Sequence, residues 1–272
     1  MSSVECLPDV RSLTVDGRKV AWREAGSGAP LVLVHGIGGH SGSWANQFSA
    51  FARTHRVIAW DAPGYGGSDP LPSNSLTAQA YAALLRGLLS ALDVSEPHLV
   101  GHSLGAVIIS AASSEGVLRP RTLTLLQPVT GSGAMAPEQR QKMYQQRASE
   151  MKRLGAIGFA VERGRQILSQ ATPSAVADEA VDVMKAVPES GYLAAWEMMC
   201  AADIFSVLNA NYPTQIICGS DDPVSPPATG KAIADRIPGA KFVCLDKVGH
   251  YASIEAPEAL EAHLRPFIDS YQ

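Results

Sequence analysis

The sequence predicts an α/β fold in which a mostly parallel sheet is covered by helices on both faces. Three observations carry this expectation. Six short runs are predominantly apolar and cannot be read as amphipathic alternation, helix-length stretches separate most of them, and no run is long enough to cross a membrane. A strand that is apolar on both faces needs cover on both, which the crossover helices of a parallel sheet supply.

The elements follow in chain order. Residues 13–15 and 20–22 flank Asp16-Gly17-Arg18-Lys19 and read as an antiparallel hairpin. The apolar runs come next, at residues 31–35, 57–60, 98–101, 123–126, 216–219 and 242–245. Helical stretches are expected at 44–53, 75–92, 104–114, 227–237 and 257–270. Between 132 and 208 the alternation stops: helical pieces at 137–154, 158–169, 174–186 and 192–200 follow one another with no strand between them. Insertions of this kind sit at the carboxyl edge of the sheet, where ligands bind. The expected organisation is a core of residues 1–131 and 209–272 with a helical cap of residues 132–208. Within the cap, Arg163 and Arg165 read as a solvated helix face. Met135, Met143, Phe159, Trp196, Met198 and Met199 are the candidates for an apolar pocket lining.

Composition narrows the partners. The 272 residues are 46% hydrophobic and 18% charged, which suits one globular unit with ample core. With a net charge of -4 and no stripe of lysine or arginine, neither nucleic acid nor a membrane surface is an implied partner, and a small molecule is expected instead. Cys6, Cys200, Cys218 and Cys244 lack paired or metal-type spacing, so they read as reduced core residues and no metal site is expected. The first ten residues carry acids and a proline where a secretion signal would be basic and then apolar, and a cytoplasmic location is the expectation.

Gly101-His102-Ser103-Leu104-Gly105 places a serine between two glycines where a strand meets a helix. So tight a turn leaves no room for side chains at the flanking positions and presents the serine hydroxyl above the sheet edge. A serine hydroxyl is a weak nucleophile that needs a base, and the base needs an acceptor to fix its tautomer. His250, on the loop after the last apolar run, is the candidate base; His55 and His98 begin strands at the opposite edge, His263 lies in the terminal helix, and His102 points elsewhere. The candidate acid is Asp222, with Asp221 as the alternative, while Gln127 holds the place after the earlier strand and cannot ionise. The amides of Ile37, in the glycine-rich loop after residue 35, and of Leu104 are the candidate donors to an oxyanion. That loop lacks the G-K-[ST] of a phosphate cradle. Residues 61–69 form a second turn-rich loop, expected to shape the rim of the pocket in a structural role.

His35-Gly36, Asp61-x-Pro63-Gly64-x-Gly66-x-Ser68, the turn around Ser103, Gly219-x-x-Asp222-x-Val224-x-Pro226 and Gly249-His250 occur in one order over essentially the whole chain. In that order they resemble the α/β-hydrolase superfamily. The resemblance implies an eight-stranded, mostly parallel sheet, a cap after the sixth strand, a Ser-His-Asp triad and no cofactor. Within the superfamily the chain looks like the branch of bacterial esterases, enol-lactone hydrolases and carbon-carbon hydrolases of aromatic breakdown. Serine at position 103 departs from the aspartate of haloalkane dehalogenases and epoxide hydrolases. Tyr251 and His102 depart from the tryptophan and asparagine of the carbon-carbon hydrolases, and Ser103-Leu104-Gly105-Ala106 from the Ser-Met-Gly-Gly of perhydrolases. The expected function is hydrolysis of a small carboxylic ester or lactone through an acyl-enzyme. Carbon-carbon cleavage, perhydrolysis or acyl transfer, and a non-catalytic ligand-binding role are the alternatives.

Overall fold

Successive side chains of a strand point to opposite faces, and here both directions lead into apolar packing. In β3 (Ala29–Val34), Leu31 and Leu33 join one hydrophobic cluster, and Val32 and Val34 join the other. The same division separates Val57 and Ala59 from Ile58 and Trp60 in β4 (His55–Trp60), and Val100 from Leu99 in β5 (His98–His102). It recurs in β6 (Thr122–Leu126) and in β7 (Thr214–Gly219), where Ile217 lies opposite Ile216 and Cys218. The computed structural model describes residues 7–114, 116–209 and 211–272.

With β1 (Val10–Val15), β2 (Arg18–Ala25) and β8 (Lys241–Leu245), the strands form one eight-stranded sheet in the order β1-β2-β4-β3-β5-β6-β7-β8. The hairpin β1-β2 and the pair β2-β4 are antiparallel, and every other pair is parallel. One face carries α2 (Ala78–Ala91), α3 (Leu104–Ser114) and α7 (Pro227–Ala234), through residues such as Tyr81, Ile108 and Ile233. The other carries α1 (Ala45–Phe51), α8 (Ala252–Glu255) and α9 (Pro257–Asp269), through Phe51, Ala252 and Leu264.

The last strand departs from the expectation. β8 ends the sheet and its helices cover it incompletely, so Phe242 and Val243 are half-buried while Lys241 and Cys244 are exposed. Cys244 is therefore not a core residue, whereas Cys200 and Cys218 are buried free thiols. Cys6 lies outside the described residues.

Between β6 and β7 run α4 (Pro137–Gln166), α5 (Ser174–Lys185) and α6 (Glu189–Ala201). α4 is two helical arms joined at Gly155, whose φ of 69° breaks the helix. Its second arm packs on α6 by an edge-to-face contact of the Phe159 and Tyr192 rings, 5.1 Å between centroids. Among the described residues no helix is long and apolar enough to cross a membrane.

Several histidines are buried in the neutral form. Burial holds the His35 and His98 imidazoles down to about 4, and burial together with the neighbouring His250 holds His102 down to about 3. The unfolded chain takes up these protons near pH 6.5, so between about pH 4 and 6.5 it binds more protons than the folded chain, and stability rises with pH through that window. The urea midpoint is accordingly expected to be lower at about pH 5 than at about pH 7, with His98→Gln shrinking the difference. A flat dependence in urea titrations at the two pH values would contradict this assignment.

Candidate active site

β5 ends at His102 and α3 begins at Leu104, so one residue, Ser103, makes the whole reversal. Its φ is 52°, a left-handed conformation that side chains rarely adopt. The Ser103 N–H donates to the Leu126 carbonyl at 2.9 Å, and its own carbonyl accepts the Ala106 N–H at 3.0 Å, which holds the strained residue in place. A Cβ on Gly101 would lie 2.4 Å from the Gly105 carbonyl oxygen, and one on Gly105 would lie 2.1 Å from that of Val34. Any larger residue at either position would push α3 off the sheet.

The loop after β8 brings His250 over this turn. Its Nε2 is 2.9 Å from the Ser103 hydroxyl and its Nδ1 is 2.7 Å from Asp222 Oδ2. A carboxylate only accepts, so Nδ1 carries the proton, and Nε2 of the neutral ring is left to accept the Ser103 O–H. The second Asp222 oxygen accepts the N–H groups of Val224 and Ser225, both at 2.8 Å, so the carboxylate is held from both ends. Ser103, Asp222 and His250 are each no more than 5% exposed, which keeps water from competing for these bonds. Asp221 faces away: it is exposed and accepts the Ser169 hydroxyl at 2.6 Å and the Ser220 hydroxyl at 2.9 Å. Those bonds, Ser169 first, hold its carboxyl below the ordinary range.

Three further side chains position the His250 loop. Gln127 donates its amide to the Gly249 carbonyl and accepts the Ala252 N–H at 3.0 Å. Glu255 accepts the N–H groups on either side of His250, from Gly249 at 3.0 Å and Tyr251 at 2.8 Å. The same carboxylate accepts the Ser169 N–H and the Thr172 hydroxyl, beyond the end of α4. His102 turns from the Ser103 hydroxyl and donates Nε2–H to the His250 carbonyl at 2.7 Å, with its ring stacked on Tyr251. Sequence reasoning reaches Gln127 only as a residue that cannot ionise and does not reach Glu255. An acid five positions after a loop histidine, in the turn that opens the terminal helices, is the signal that was there to find.

A cavity opens above Ser103. Ile37, Leu104, Val129, Met184, Trp196 and Met199 give it mostly apolar walls. Among the described residues the Ile37 and Leu104 amides have no hydrogen-bond acceptor. Of the expected lining residues, Trp196 and Met199 are present. Met135 is exposed, Phe159 and Met198 are buried in the core, and Met143 accepts the Trp196 indole N–H through its carbonyl. Arg163, read above as part of a solvated face, lines the cavity beside Arg147, while Arg165 pairs with Asp178 at the surface. The cause is helical spacing: Phe159 and Arg163, four apart, share the inward stripe of the second arm of α4, and the C-cap residue Ile167 continues it one turn on. The loop of residues 61–69 has the structural role expected of it, bracing the site from outside the cavity lining. Asp61 accepts the Ser41 N–H at 2.7 Å, and the Tyr65 hydroxyl donates to the Ile37 carbonyl at 3.0 Å. Among the described residues no cluster of three or more histidine, cysteine, aspartate or glutamate side chains could hold a metal ion.

Comparison with known proteins agrees with this architecture. The family model described as "Alpha/beta hydrolase family" matches residues 31–263. The dihydrolipoyllysine-residue acetyltransferase component of the acetoin cleaving system of Pseudomonas putida is 29% identical, over 96% of this chain and 70% of its own length. The (E)-2-((N-methylformamido)methylene)succinate hydrolase of Acinetobacter baylyi is 24% identical, over 94% of this chain and 96% of its own. A thermophilic esterase from Thermogutta terrifontis, solved with malate bound, superimposes with a TM-score of 0.85 at 25% identity, covering 97% of this chain and 99% of its own. The family match begins in β3 and ends in α9, spanning nearly all of the parallel part of the sheet, and on that ground the chain belongs to the alpha/beta hydrolase family.

Proposed function

We propose that this chain is a serine hydrolase that cleaves a small carboxylic ester or lactone through an acyl-enzyme. The observation that carries the proposal is the unbroken chain of hydrogen bonds from Asp222 through His250 to the Ser103 hydroxyl at the base of an apolar cavity. Similarity to a Thermogutta esterase and an Acinetobacter hydrolase supports the same reading.

In this mechanism Ser103 Oγ attacks the carbonyl carbon while His250 Nε2 takes its proton. Charge gathers on the former carbonyl oxygen, to which the unpaired Ile37 and Leu104 amides donate. His250, now an imidazolium balanced by Asp222, protonates the departing alkoxide, leaving an ester on Ser103. A water deprotonated by His250 then releases the acid and restores the serine. Two amides already occupy the far oxygen of Asp222, so the carboxylate holds its orientation as charge appears beside it. His102 stays neutral throughout, because its burial keeps its pKa at about 3, and it places no second cation against the imidazolium. Residues 132–208 serve as the cap that supplies the upper wall of the cavity.

Ser103→Ala is expected to lower kcat on a para-nitrophenyl ester by ~10³-fold or more with the fold retained. A fluorophosphonate should label Ser103 in the parent protein and label His250→Ala far more slowly. Near-normal turnover by Ser103→Ala, or a folded parent protein that is not labelled, refutes the reading. Glu255→Ala removes the acceptor of four hydrogen bonds around the His250 loop and is expected to cost on the order of 2 kcal/mol in urea denaturation, together with about tenfold in kcat.

A further inference from the structure

Two guanidinium groups face the cavity that holds Ser103, and among the described residues no carboxylate lines it. Arg147 is already engaged. Its Nε lies 3.5 Å from Glu150, one Nη donates to the Tyr192 hydroxyl at 2.9 Å, and its plane sits over the Trp196 ring at 4.7 Å. Arg163 has no such partners: among the described residues its side chain makes no hydrogen bond and no carboxylate lies within 4.0 Å of it. Burial, and then the neighbouring Arg147, hold its guanidinium below the ordinary range. A half-buried cation among methionine, isoleucine and aromatic side chains is costly unless an anion is delivered to it, and a carboxylate matches the fork of a guanidinium. One carboxylate, Glu150, is shared by two arginines, so the cationic end of an otherwise apolar cavity carries surplus positive charge.

We propose that Arg163, backed by Arg147, forms an anion subsite for a carboxylate that the substrate carries on its acyl chain, remote from the scissile carbonyl. The inference rests on the hydrolase reading above and narrows its substrate class to half-esters, or lactones, of dicarboxylic acids. Tyr192 helps by holding the Arg147 guanidinium in place, and the aromatic rings under Arg147 keep it from swinging into the space the ligand needs.

The test compares the para-nitrophenyl monoester of adipic acid with para-nitrophenyl hexanoate, which match in chain length and leaving group. The parent protein should favour the adipate ester by about tenfold in kcat/KM, mostly through KM, and Arg163→Gln should abolish most of that ratio. Arg163→Lys, which keeps the charge, should retain part of it and guards against a variant that fails to fold. A parent protein that turns over both esters equally, or a ratio unchanged in Arg163→Gln, overturns the subsite. If neither ester is hydrolysed, it is the hydrolase reading that fails, and calorimetric titration with adipate and hexanoate still decides the subsite. Tighter binding of adipate that Arg163→Gln weakens by about tenfold upholds it, and equal binding of the two acids overturns it.

Discussion

Helix α3 can lie where it does because no side chain stands between its first turn and the backbone of β3. The Gly105 Cα is so close to the Val34 carbonyl that a methyl group would overlap it, and the Gly101 Cα is as close to the Gly105 carbonyl. That contact makes the turn at Ser103 a single residue long, and the turn in turn forces the positive φ. Two backbone hydrogen bonds, one to β6 and one within α3, hold the strained residue. Strain of this kind persists only where the surroundings over-determine it, which the parallel strands on either side do.

The second partner of the serine arrives by a different route. His250 lies on a loop, yet every flanking group is fixed. Its N–H donates to the Ile167 carbonyl at 2.7 Å, its carbonyl accepts from His102, and the residues beside it are held by Gln127 and Glu255. A loop thus reaches the precision of a strand, through main-chain hydrogen bonds to buried or half-buried side chains. Neutral His102 suits that place, since a charged ring there would repel an imidazolium 5.1 Å away.

The parallel strands were legible in the sequence because a run that is apolar in both directions has few other places to lie. Ser103, Asp222 and His250 were legible as neighbours because each follows a strand, and the carboxyl ends of parallel strands share one edge. β8 misled for the same reason: its apolar residues resemble a central strand, and nothing local tells an edge from a centre. Arg163 misled because alternating charges on a helix look solvated until the break at Gly155 shows which stripe turns inward. The positioning roles of Gln127 and Glu255 were not legible because they act on main-chain groups, and such work leaves no motif, only the right length of side chain at the right distance.

The hydrogen bonds that Ile167, Ser169 and Thr172 make to His250, Asp221 and Glu255 divide the inserted helices into two kinds of territory. Positions such as Arg163 and Trp196 line the cavity and make no hydrogen bond to the His250 loop, so they are free to be exchanged as a ligand changes. The short stretch after α4 is a shared component of both the wall and the loop beneath it. A lineage that rebuilt the wall for a new ligand would have to carry this stretch over intact, or lose the alignment of His250 along with the old pocket.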